Sequence, residues 1–486
     1  MERDDDTLET LLPDAETAPV EAVRPTETVR NADSLDQEDN TLRPGFVRKV
    51  AEALEAGDDE TVYNLVEPLH PADIADLFEL IEQDDRVKLA RAINDLLGGE
   101  VIAELNDYVR EYLVEELEPE EVAELAEQME TDDAVALIED LDEEDQQAVL
   151  AEMEPEDRAA IESALSYPEE TAGRLMSRDV IAVPEAMTVG DLIDYLRRDD
   201  ELPTEFWEVF IVDHKHHPVG TCSLSWILRA PRSVPLADVM KRDQTLIPVT
   251  MDQEEVALRF QKYALISAAV IDESGRLVGQ ITVDDIVHII QEEASEDILR
   301  LSGAGDGDIN EPILLTVRTR LTWLIVNLGT AMVAASVVGM FQGAIARFAL
   351  LAVLMPIVSG MGGNAGTQTL AVVVRAIATN QLTSSNTVRM ILRELRIAAT
   401  NGTALGILIG SATALLFSNP LLGAVIGSAM VINNLVAGLA GIMVPVTLDR
   451  LKVDPAVSSA VFVTMATDVM GFFSFLGLAV LSGLAA

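Results

Sequence analysis

One aspartate, Asp468, lies deep within the last apolar stretch of the chain, Ala456–Ala486, and no other acidic residue occurs in that stretch. At about 1.5 Å per helical residue it lies roughly 18 Å into the segment, near the midplane of a bilayer that the segment would span. An ionisable group at that depth is costly, and it generally marks an ion or proton pathway. Three roles are open for Asp468: an ion ligand, a proton relay, or a protonated acid hydrogen-bonded between helices.

A polar, glycine-rich motif within an earlier apolar segment, Pro356–Thr369, supplies candidate partners for this carboxylate. Glycines allow close approach of backbones, and Pro356 leaves one helical carbonyl without its usual donor. Helix packing alone is one explanation of the motif. With Asp468, however, carbonyl, amide and hydroxyl oxygens suit a hard cation. The polar side chains of the motif include Asn364, Thr367, Gln368 and Thr369. The predicted pore ligands are Asp468, Gly363, Asn364 and Thr367.

Five apolar segments, each able to cross about 30 Å of hydrocarbon, predict an α-helical membrane domain over residues 317–486. They are Leu321–Phe341, Arg347–Ala378, Leu395–Phe417, Leu421–Leu448 and Ala456–Ala486. Basic residues cluster before the first segment, between the second and third, and between the fourth and fifth, whereas the opposite loops hold only Arg347. By the positive-inside rule, the amino-terminal domains are cytoplasmic and the carboxyl terminus lies outside the cell.

The chain before these segments has the opposite chemical character. The whole chain carries a net charge of −50 and the part from Glu311 onward carries +4, which leaves −54 for residues 1–310. A surface this acidic argues against nucleic acid as a partner. The single cysteine, Cys222, excludes an intrachain disulfide. Residues 1–44, rich in Asp, Glu, Thr and Pro, predict a disordered acidic tail.

Residues 45–172 have the apolar spacing of short amphipathic helices. Three helix starts repeat one pattern, in which proline occupies a first-turn position that needs no N–H donor and acids follow near the positive helix end. The three prolines are Pro71, Pro119 and Pro155. We therefore predict an all-α domain in which short helices stack into a superhelix.

A second repeat occupies residues 173–237 and 238–289. Leu175–Asp179 recurs sixty-four residues later as Val239–Asp243, and each copy continues in a β-α-β-β-α order. This order resembles a tandem pair of cystathionine-β-synthase (CBS) domains, α/β regulatory modules that often bind adenine nucleotides, so ATP is a candidate ligand. In the first copy, a cluster of histidines either binds a transition metal or forms a polar turn. The cluster comprises His214, His216 and His217. A connecting helix and linker follow at 290–316.

Taken together, the domain order, the Pro356–Thr369 motif, Asp454–Ala456 and Thr467–Gly471 resemble those of the MgtE-type magnesium channels and transporters. The resemblance covers nearly all of the chain after residue 44. It implies a homodimer in a lipid bilayer, with Asp468 of both subunits as the central pore ligands. It also implies a cytosolic Mg²⁺ sensor that closes the pore and includes Asp285, Glu293, Glu296 and Asp297. In this sequence His288 stands where the family pattern can carry an acid.

The expected function is therefore Mg²⁺-selective transport into the cytoplasm across the plasma membrane, with no enzymatic activity. Two alternatives remain open: an ion-coupled exchanger of divalent cations such as Co²⁺ or Mn²⁺, and a membrane-anchored CBS sensor that transports nothing. An intramembrane zinc protease needs histidine ligands, but all five histidines lie outside the apolar segments. The carboxylate of Asp468 argues against an anion channel.

Overall fold

The computed structural model describes residues 34–35, 41–198, 202–203, 206–303, 310–383, 385–456 and 459–484. The described chain forms two compact units, which we treat separately. The first unit comprises residues up to Met129 together with Leu137–Met153, and the second comprises Glu130–Ala136 and the chain from Glu154 onward. Most of the predicted acidic tail, 1–44, lies outside the described residues.

Short helices build the first unit, and helix α8 is shared between the units. The helices are α1 (Pro44–Ala56), α2 (Asp59–Val66), α3 (Pro71–Leu80), α4 (Gln83–Ala92), α5 (Gly99–Ala103), α6 (Asp107–Val114), α7 (Pro119–Ala126), α8 (Thr131–Glu139) and α9 (Glu143–Glu152), with a 3₁₀ turn at Asn94–Leu96. Pro71 and Pro119 occupy the first turns of α3 and α7, as predicted. Leu77, Phe78 and Leu89 are fully buried in the core.

The second unit continues with two α/β repeats. Its elements are α10 (Pro155–Leu165), α11 (Ala172–Leu175), β1 (Ala182–Pro184), α12 (Val189–Leu196), β2 (Glu208–Val212), β3 (Pro218–Ser223), α13 (Leu224–Ile227), α14 (Leu236–Val239), β4 (Leu246–Pro248), α15 (Gln253–Tyr263), β5 (Ser267–Ile271), β6 (Leu277–Thr282) and α16 (Val283–Ser302). The sheets have the orders β1-β2-β3 and β4-β5-β6. In each sheet the first pair of strands is parallel and the second is antiparallel.

The two repeats pack against each other through equivalent strands. Phe210 and Val212 of the first sheet share a buried cluster with Ala269 and Leu277 of the second. The side-chain amide of Gln280 donates to the carbonyl oxygen of Asp179 at 2.8 Å. These contacts hold the tandem repeats together as a pair.

Five helices of the described chain are long and apolar enough to cross a membrane. They are α17 (Ile313–Met340), α19 (Leu350–Ala378), α20 (Thr387–Leu416), α21 (Pro420–Arg450) and α22 (Ser459–Leu481), with a short helix α18 (Gln342–Arg347) before α19. The most buried of the five is α21, whereas α17 is almost entirely exposed. These elements confirm the predicted fold class: a helical amino-terminal domain, a tandem α/β pair, a connecting helix and five membrane helices.

Glycines allow α20 and α21 to pack with their backbones in contact. A Cβ atom added at Gly406 would lie 2.6 Å from the carbonyl oxygen of Gly427, and one added at Gly410 would lie 2.7 Å from that of Gly423. Only residues without side chains fit this spacing, which is a common arrangement between membrane helices. The packing fixes α21 as the central helix against which α19 and α22 also lie.

Candidate functional site

The carboxylate of Asp468 in α22 forms a hydrogen bond with a side chain of α19. The hydroxyl of Ser359 donates to Oδ1 of Asp468, and both residues are half-buried. Ser359 lies within the glycine-rich motif, four residues before Gly363. The structure therefore joins the fifth membrane span to the second at the acidic residue.

The helices come this close because α19 presents glycine to its neighbours. A Cβ atom added at Gly366 would lie 2.6 Å from Cγ1 of Val463 in α22. One added at Gly441 of α21 would lie 2.9 Å from the carbonyl oxygen of Gly366. The buried hydroxyl of Thr467, next to Asp468, donates to the carbonyl oxygen of Thr464 within its own helix. Close backbone packing thus fixes the height of Asp468 relative to the motif.

A fully buried amide, Asn433 of α21, lies behind the Ser359–Asp468 pair. Its Nδ2 donates to the carbonyl oxygen of Val358 at 2.8 Å, whereas its Oδ1 is buried without a hydrogen-bond partner in the described chain. A Cβ atom at Gly362 would overlap its side chain, and one at Gly471 would lie 2.8 Å from its Nδ2. Asn433 therefore occupies a space that two glycines, one on α19 and one on α22, leave open.

The other predicted pore ligands lie on α19. The hydroxyl of Thr367 donates to the carbonyl oxygens of Gly363 at 3.2 Å and Asn364 at 3.1 Å. Gly363 and Thr367 follow Ser359 at intervals of four residues and so share its side of the helix. The side chains of Asn364 and Thr367 are exposed. In the part of the chain that the structure describes, Asp468 is hydrogen-bonded to Ser359 and to none of these three.

The predicted sensor residues are distributed along α16. Asp285 caps the start of this helix, because its Oδ2 accepts from the hydroxyl of Thr282 at 2.7 Å and from its N–H at 3.2 Å. One carboxylate oxygen of Glu293 accepts from Nε2 of Gln253 at 2.5 Å. Glu296 pairs with Arg300. The side chain of Asp297 lies outside the described part of the chain.

The end of α16 contacts the membrane helices directly. Nη1 of Arg300 donates to Oδ2 of Asp454, just before α22, at 2.8 Å. The other oxygen of Asp454 accepts from the N–H of Ala456 at 2.7 Å. Leu301 packs against a cluster that includes Leu370 of α19 and Val463 of α22. Helix α16 is thus in contact with α19, which carries Ser359, and with α22, which carries Asp468.

Additional acidic residues, which the sequence analysis did not single out, interact with the start of α16. Desolvation, with repulsion from Asp285, Asp179 and Asp133, raises the pKa of Glu130 to about 7. Burial, with repulsion from Asp285, raises the pKa of Asp132 well above its ordinary value. Burial likewise raises the pKa of Asp285, although Thr282 opposes the shift. With 83 acidic residues in the chain, composition alone gives no signal that separates these from solvated surface acids.

No group of three or more His, Cys, Asp or Glu side chains in the described residues is arranged to hold a metal ion. The histidine turn has a local explanation. Asp213 accepts hydrogen bonds from the backbone N–H of His217 at 2.9 Å and of Lys215 at 2.8 Å, and from Nδ1 of His217 at 3.1 Å. These hydrogen bonds, chiefly the one from the N–H of His217, lower the pKa of Asp213 to about 2. The geometry favours the polar turn over the metal site.

Known protein families match most of the chain. A family model described as a divalent cation transporter, MgtE, matches residues 355–478, and one for the MgtE intracellular N domain matches residues 69–170. The CBS domain model matches residues 172–232 and 236–292. The matches follow the same order as the helical domain, the tandem repeats and the membrane helices.

Curated relatives agree with these models. The magnesium transporter MgtE of Bacillus subtilis is 30% identical over 320 residues, covering 66% of this chain and 71% of the relative. That of Thermus thermophilus is 33% identical over 324 residues, with the same coverage. A solved cytosolic domain of the Mg²⁺ channel MgtE in complex with ATP is 28% identical, with a TM-score of 0.47, and the match covers 50% of this chain and 99% of that domain. The chain belongs to the MgtE family of divalent cation transporters.

Proposed function

We propose that the chain forms a homodimeric, Mg²⁺-selective channel or transporter that moves Mg²⁺ into the cytoplasm across the plasma membrane. The curated relatives are named magnesium transporters, and the basic loops favour cytoplasmic amino-terminal domains with the carboxyl terminus outside. The observation that carries the proposal is the carboxylate of Asp468, positioned within a membrane span by a hydroxyl of a neighbouring span.

The chemistry of Mg²⁺ explains why so few ligands suffice. Mg²⁺ requires octahedral geometry, loses water reluctantly and usually contacts only one or two carboxylates. In the proposed dimer, Asp468 of each subunit holds a hydrated ion, and oxygens of Gly363, Asn364 and Thr367 contact its water molecules. Neutral oxygens define the size of the site without binding the ion too tightly for it to leave. Asn364 and Thr367 are exposed on the single chain, as we expect of residues that line an ion pathway between two subunits.

We further propose that cytosolic Mg²⁺ closes the pore by binding to acids around α16. The predicted set is Asp285, Glu293, Glu296 and Asp297, and the structure adds Glu130 and Asp132 as candidates. The raised pKa values of Glu130, Asp132 and Asp285 support this proposal, because burial first and mutual repulsion second disfavour their charged forms, and a bound divalent cation offsets both. The buried Oδ1 of Asp132 has no hydrogen-bond partner among the described residues and is available as a ligand.

The contacts at the end of α16 provide a route from these acids to the pore. Arg300 joins α16 to Asp454, and Leu301 packs among α19 and α22. An ion that binds one arrangement of α16 more tightly therefore also favours one arrangement of the pore helices. A bound ion can close the pore only if its affinity differs between the open and closed arrangements. ATP binding by the CBS pair and the predicted domain boundaries stay predictions from the sequence.

Flux measurements in liposomes test the proposal. The native chain, Asp468→Asn, Asp468→Ala and the control Asp84→Asn, an exposed acid of α4, are reconstituted and Mg²⁺ influx is followed while internal Mg²⁺ is varied. We expect influx in the native chain and the control, inhibition by internal Mg²⁺, and loss of influx in both Asp468 variants. Unchanged influx in those variants would contradict the pore assignment. Influx that requires a proton or sodium gradient would identify an exchanger, and no influx in any chain would favour a sensor.

A further inference from the structure

The beginning of α20 carries three arginines on one exposed face, which we call the arginine face. Arg389, Arg393 and Arg396 follow one another at intervals of four and three residues, so they are neighbours on the helix surface. All three are exposed. The residues that α20 buries at this level, Thr387 and Glu394, lie largely on the other side of the helix, and α20 packs chiefly against α21. The arginine face therefore points away from the neighbouring helix.

Little in the described chain neutralises these three charges. Nη1 of Arg393 pairs with Oε1 of Glu394 at 2.9 Å, whereas no ion pair or hydrogen bond joins the guanidinium of Arg389 or Arg396 to another described residue. The amino-terminal end of a helix is itself positive, and α20 has no acidic residue in its first turn. An anion bound beside the arginines offsets the repulsion among these positive groups. The start of α20 thus suits a negatively charged ligand.

The exposed side of α20 continues beyond the arginines as a surface suited to hydrocarbon. The hydroxyls of Thr400 and Thr403 donate to backbone carbonyl oxygens of α20 itself, at 2.8 and 2.7 Å, so they need no partner from another segment. Further along, the side chains of Ile407 and Leu408 are 69% and 62% exposed. Polar groups satisfied within one helix, followed by exposed apolar groups, favour lipid over a second protein surface.

The spacing along α20 matches the dimensions of one leaflet of a bilayer. Ile407 is eleven residues after Arg396, which corresponds to about 16 Å along a helix. Half of a hydrocarbon core about 30 Å thick is about 15 Å. A phosphate at the arginine face therefore places acyl chains along the apolar surface. Arginine is well suited to phosphate, because its planar guanidinium can donate two parallel hydrogen bonds.

We propose that the exposed side of α20 binds an anionic phospholipid, with Arg389, Arg393 and Arg396 holding its phosphate and Ile407 and Leu408 in contact with its acyl chains. The site includes none of the residues proposed for the pore or for the Mg²⁺ sensor, so it does not depend on which ion the chain transports. With the proposed topology, the arginines lie at the cytoplasmic leaflet, where anionic lipids attract basic residues.

Lipid binding by the full-length protein tests this site. The native chain, the triple variant Arg389→Gln/Arg393→Gln/Arg396→Gln and the corresponding lysine triple variant are purified in a neutral detergent. Phosphatidylglycerol bound per chain is counted by native mass spectrometry as the lipid concentration is raised. Each base near an anionic lipid contributes about fivefold in affinity, so we expect the glutamine variant to need at least about tenfold more lipid for half-saturation. The lysine variant keeps the charges and should lose less.

The matched control removes three exposed arginines outside the membrane helices and is expected to bind the lipid as the native chain does. It is Arg48→Gln/Arg91→Gln/Arg229→Gln. Phosphatidylcholine and sn-glycerol 3-phosphate are titrated in parallel, and we expect both to bind more weakly than phosphatidylglycerol. Equal binding of phosphatidylcholine overturns the preference for an anionic lipid. Binding of sn-glycerol 3-phosphate as tight as that of the lipid overturns the role of the acyl chains. An unchanged half-saturation in the glutamine triple variant overturns the site itself.

Single variants keep the inference falsifiable if the triple variant does not fold. Arg389→Gln and Arg396→Gln each remove one unpaired guanidinium, and each should raise the half-saturating lipid concentration about fivefold. Unchanged values in both overturn the inference. So does a disulfide between two copies of an Ile407→Cys variant in liposomes, because the face would then belong to a second copy of the chain. The native Cys222 is buried and leaves the introduced thiol as the reactive one.

Discussion

At the scale of single residues, the pore candidate depends on neutral groups as much as on its one carboxylate. Ser359 orients Asp468, and Asn433 holds the two helices that carry them. The amide of Asn433 is suited to this position because it can donate to a backbone carbonyl without carrying a charge into a buried site. The carboxylate of Asp468 therefore depends on uncharged residues that fix its position and orientation.

Gly362→Ala tests this packing. A Cβ atom there overlaps the side chain of Asn433, which is fully buried and cannot swing aside without losing its bond to Val358. We expect a loss of stability of about 1 to 3 kcal/mol, typical of overpacking. The control Gly360→Ala lies two residues away on the same helix, where an added Cβ meets nothing within 4 Å. Thermal unfolding in detergent measures both. Equal melting temperatures for the two variants would argue against a tightly packed Asn433.

At the scale of elements, periodicity predicted most of the fold. Long apolar runs predicted the five membrane helices, because a bilayer admits few other structures. The repeated motif predicted the two α/β copies, and prolines such as Pro71 and Pro155 marked helix starts. These signals are local: each depends on residues that lie close together in the chain. The helices and strands that the structure describes follow them closely.

Local periodicity did not predict which residues of different helices are in contact. Ser359 and Asp468 are 109 residues apart, and Val358 and Asn433 are 75 apart. Asn433 is an amide in an apolar segment. The spacing of the residues around it does not show whether its side chain faces lipid or lies between two glycines of other helices. The glycines of α20, including Gly406 and Gly410, meet partners on α21 for which the sequence offers no pairing rule. The roles of Ser359, Asn433 and these glycines depend on which side chains are buried between two helices. That depends on residues far apart in the chain, so local sequence patterns do not reveal it.

Arg300→Gln tests whether the charge of Arg300 opposes Mg²⁺ binding at the end of α16, where the packing of Leu301 among α19 and α22 keeps the helices in contact. Arg300 neutralises both Glu296 and Asp454, so its loss leaves two neighbouring carboxylates that a divalent ion can bridge. We expect the internal Mg²⁺ concentration that halves influx to fall about fivefold, as the loss of one opposing charge near a surface site implies. Arg300→Lys keeps the charge and is expected to behave as the native chain. Arg259→Gln, which breaks a similar pair with Glu255 within α15, is the matched control. An unchanged half-inhibition concentration would show that Arg300 does not oppose Mg²⁺.

At the scale of the whole molecule, charge is separated along the chain. Residues 1–310 carry −54 and the remainder +4, so the amino-terminal part repels itself while the part with the five membrane helices is almost neutral. Self-repulsion destabilises compact states, and a bound divalent cation offsets it. In the proposed sensor, the same acids would link stability to both pH and Mg²⁺. Burial and mutual repulsion raise the pKa values of Glu130, Asp132 and Asp285, so we expect these three acids to contribute to this link.

The sign of the pH dependence follows from Glu130. Its pKa is raised from 4.5 to about 7, so the folded chain binds more protons than the unfolded chain between these values. Stability should therefore fall as pH rises through this window, and it should be regained as the carboxyl is protonated. Asp132 and Asp285 are shifted in the same direction and add to the slope. Because Glu130 keeps part of its surface in solvent, the effect is smaller than the full shift implies.

Thermal unfolding of the full-length protein between about pH 5 and pH 8 measures this slope. Without Mg²⁺ we expect the melting temperature to fall with rising pH, and in millimolar Mg²⁺ we expect the fall to shrink, because the cation replaces the protons that repelling carboxylates lose. Glu130→Gln should flatten the Mg²⁺-free slope, whereas Glu124→Gln, an exposed glutamate of α7, should not. If Mg²⁺ leaves the slope of melting temperature against pH unchanged, the acids that cause the pH dependence are not the ones that bind the ion. The proposed sensor would then have to lie further along α16, around Glu293 and Glu296.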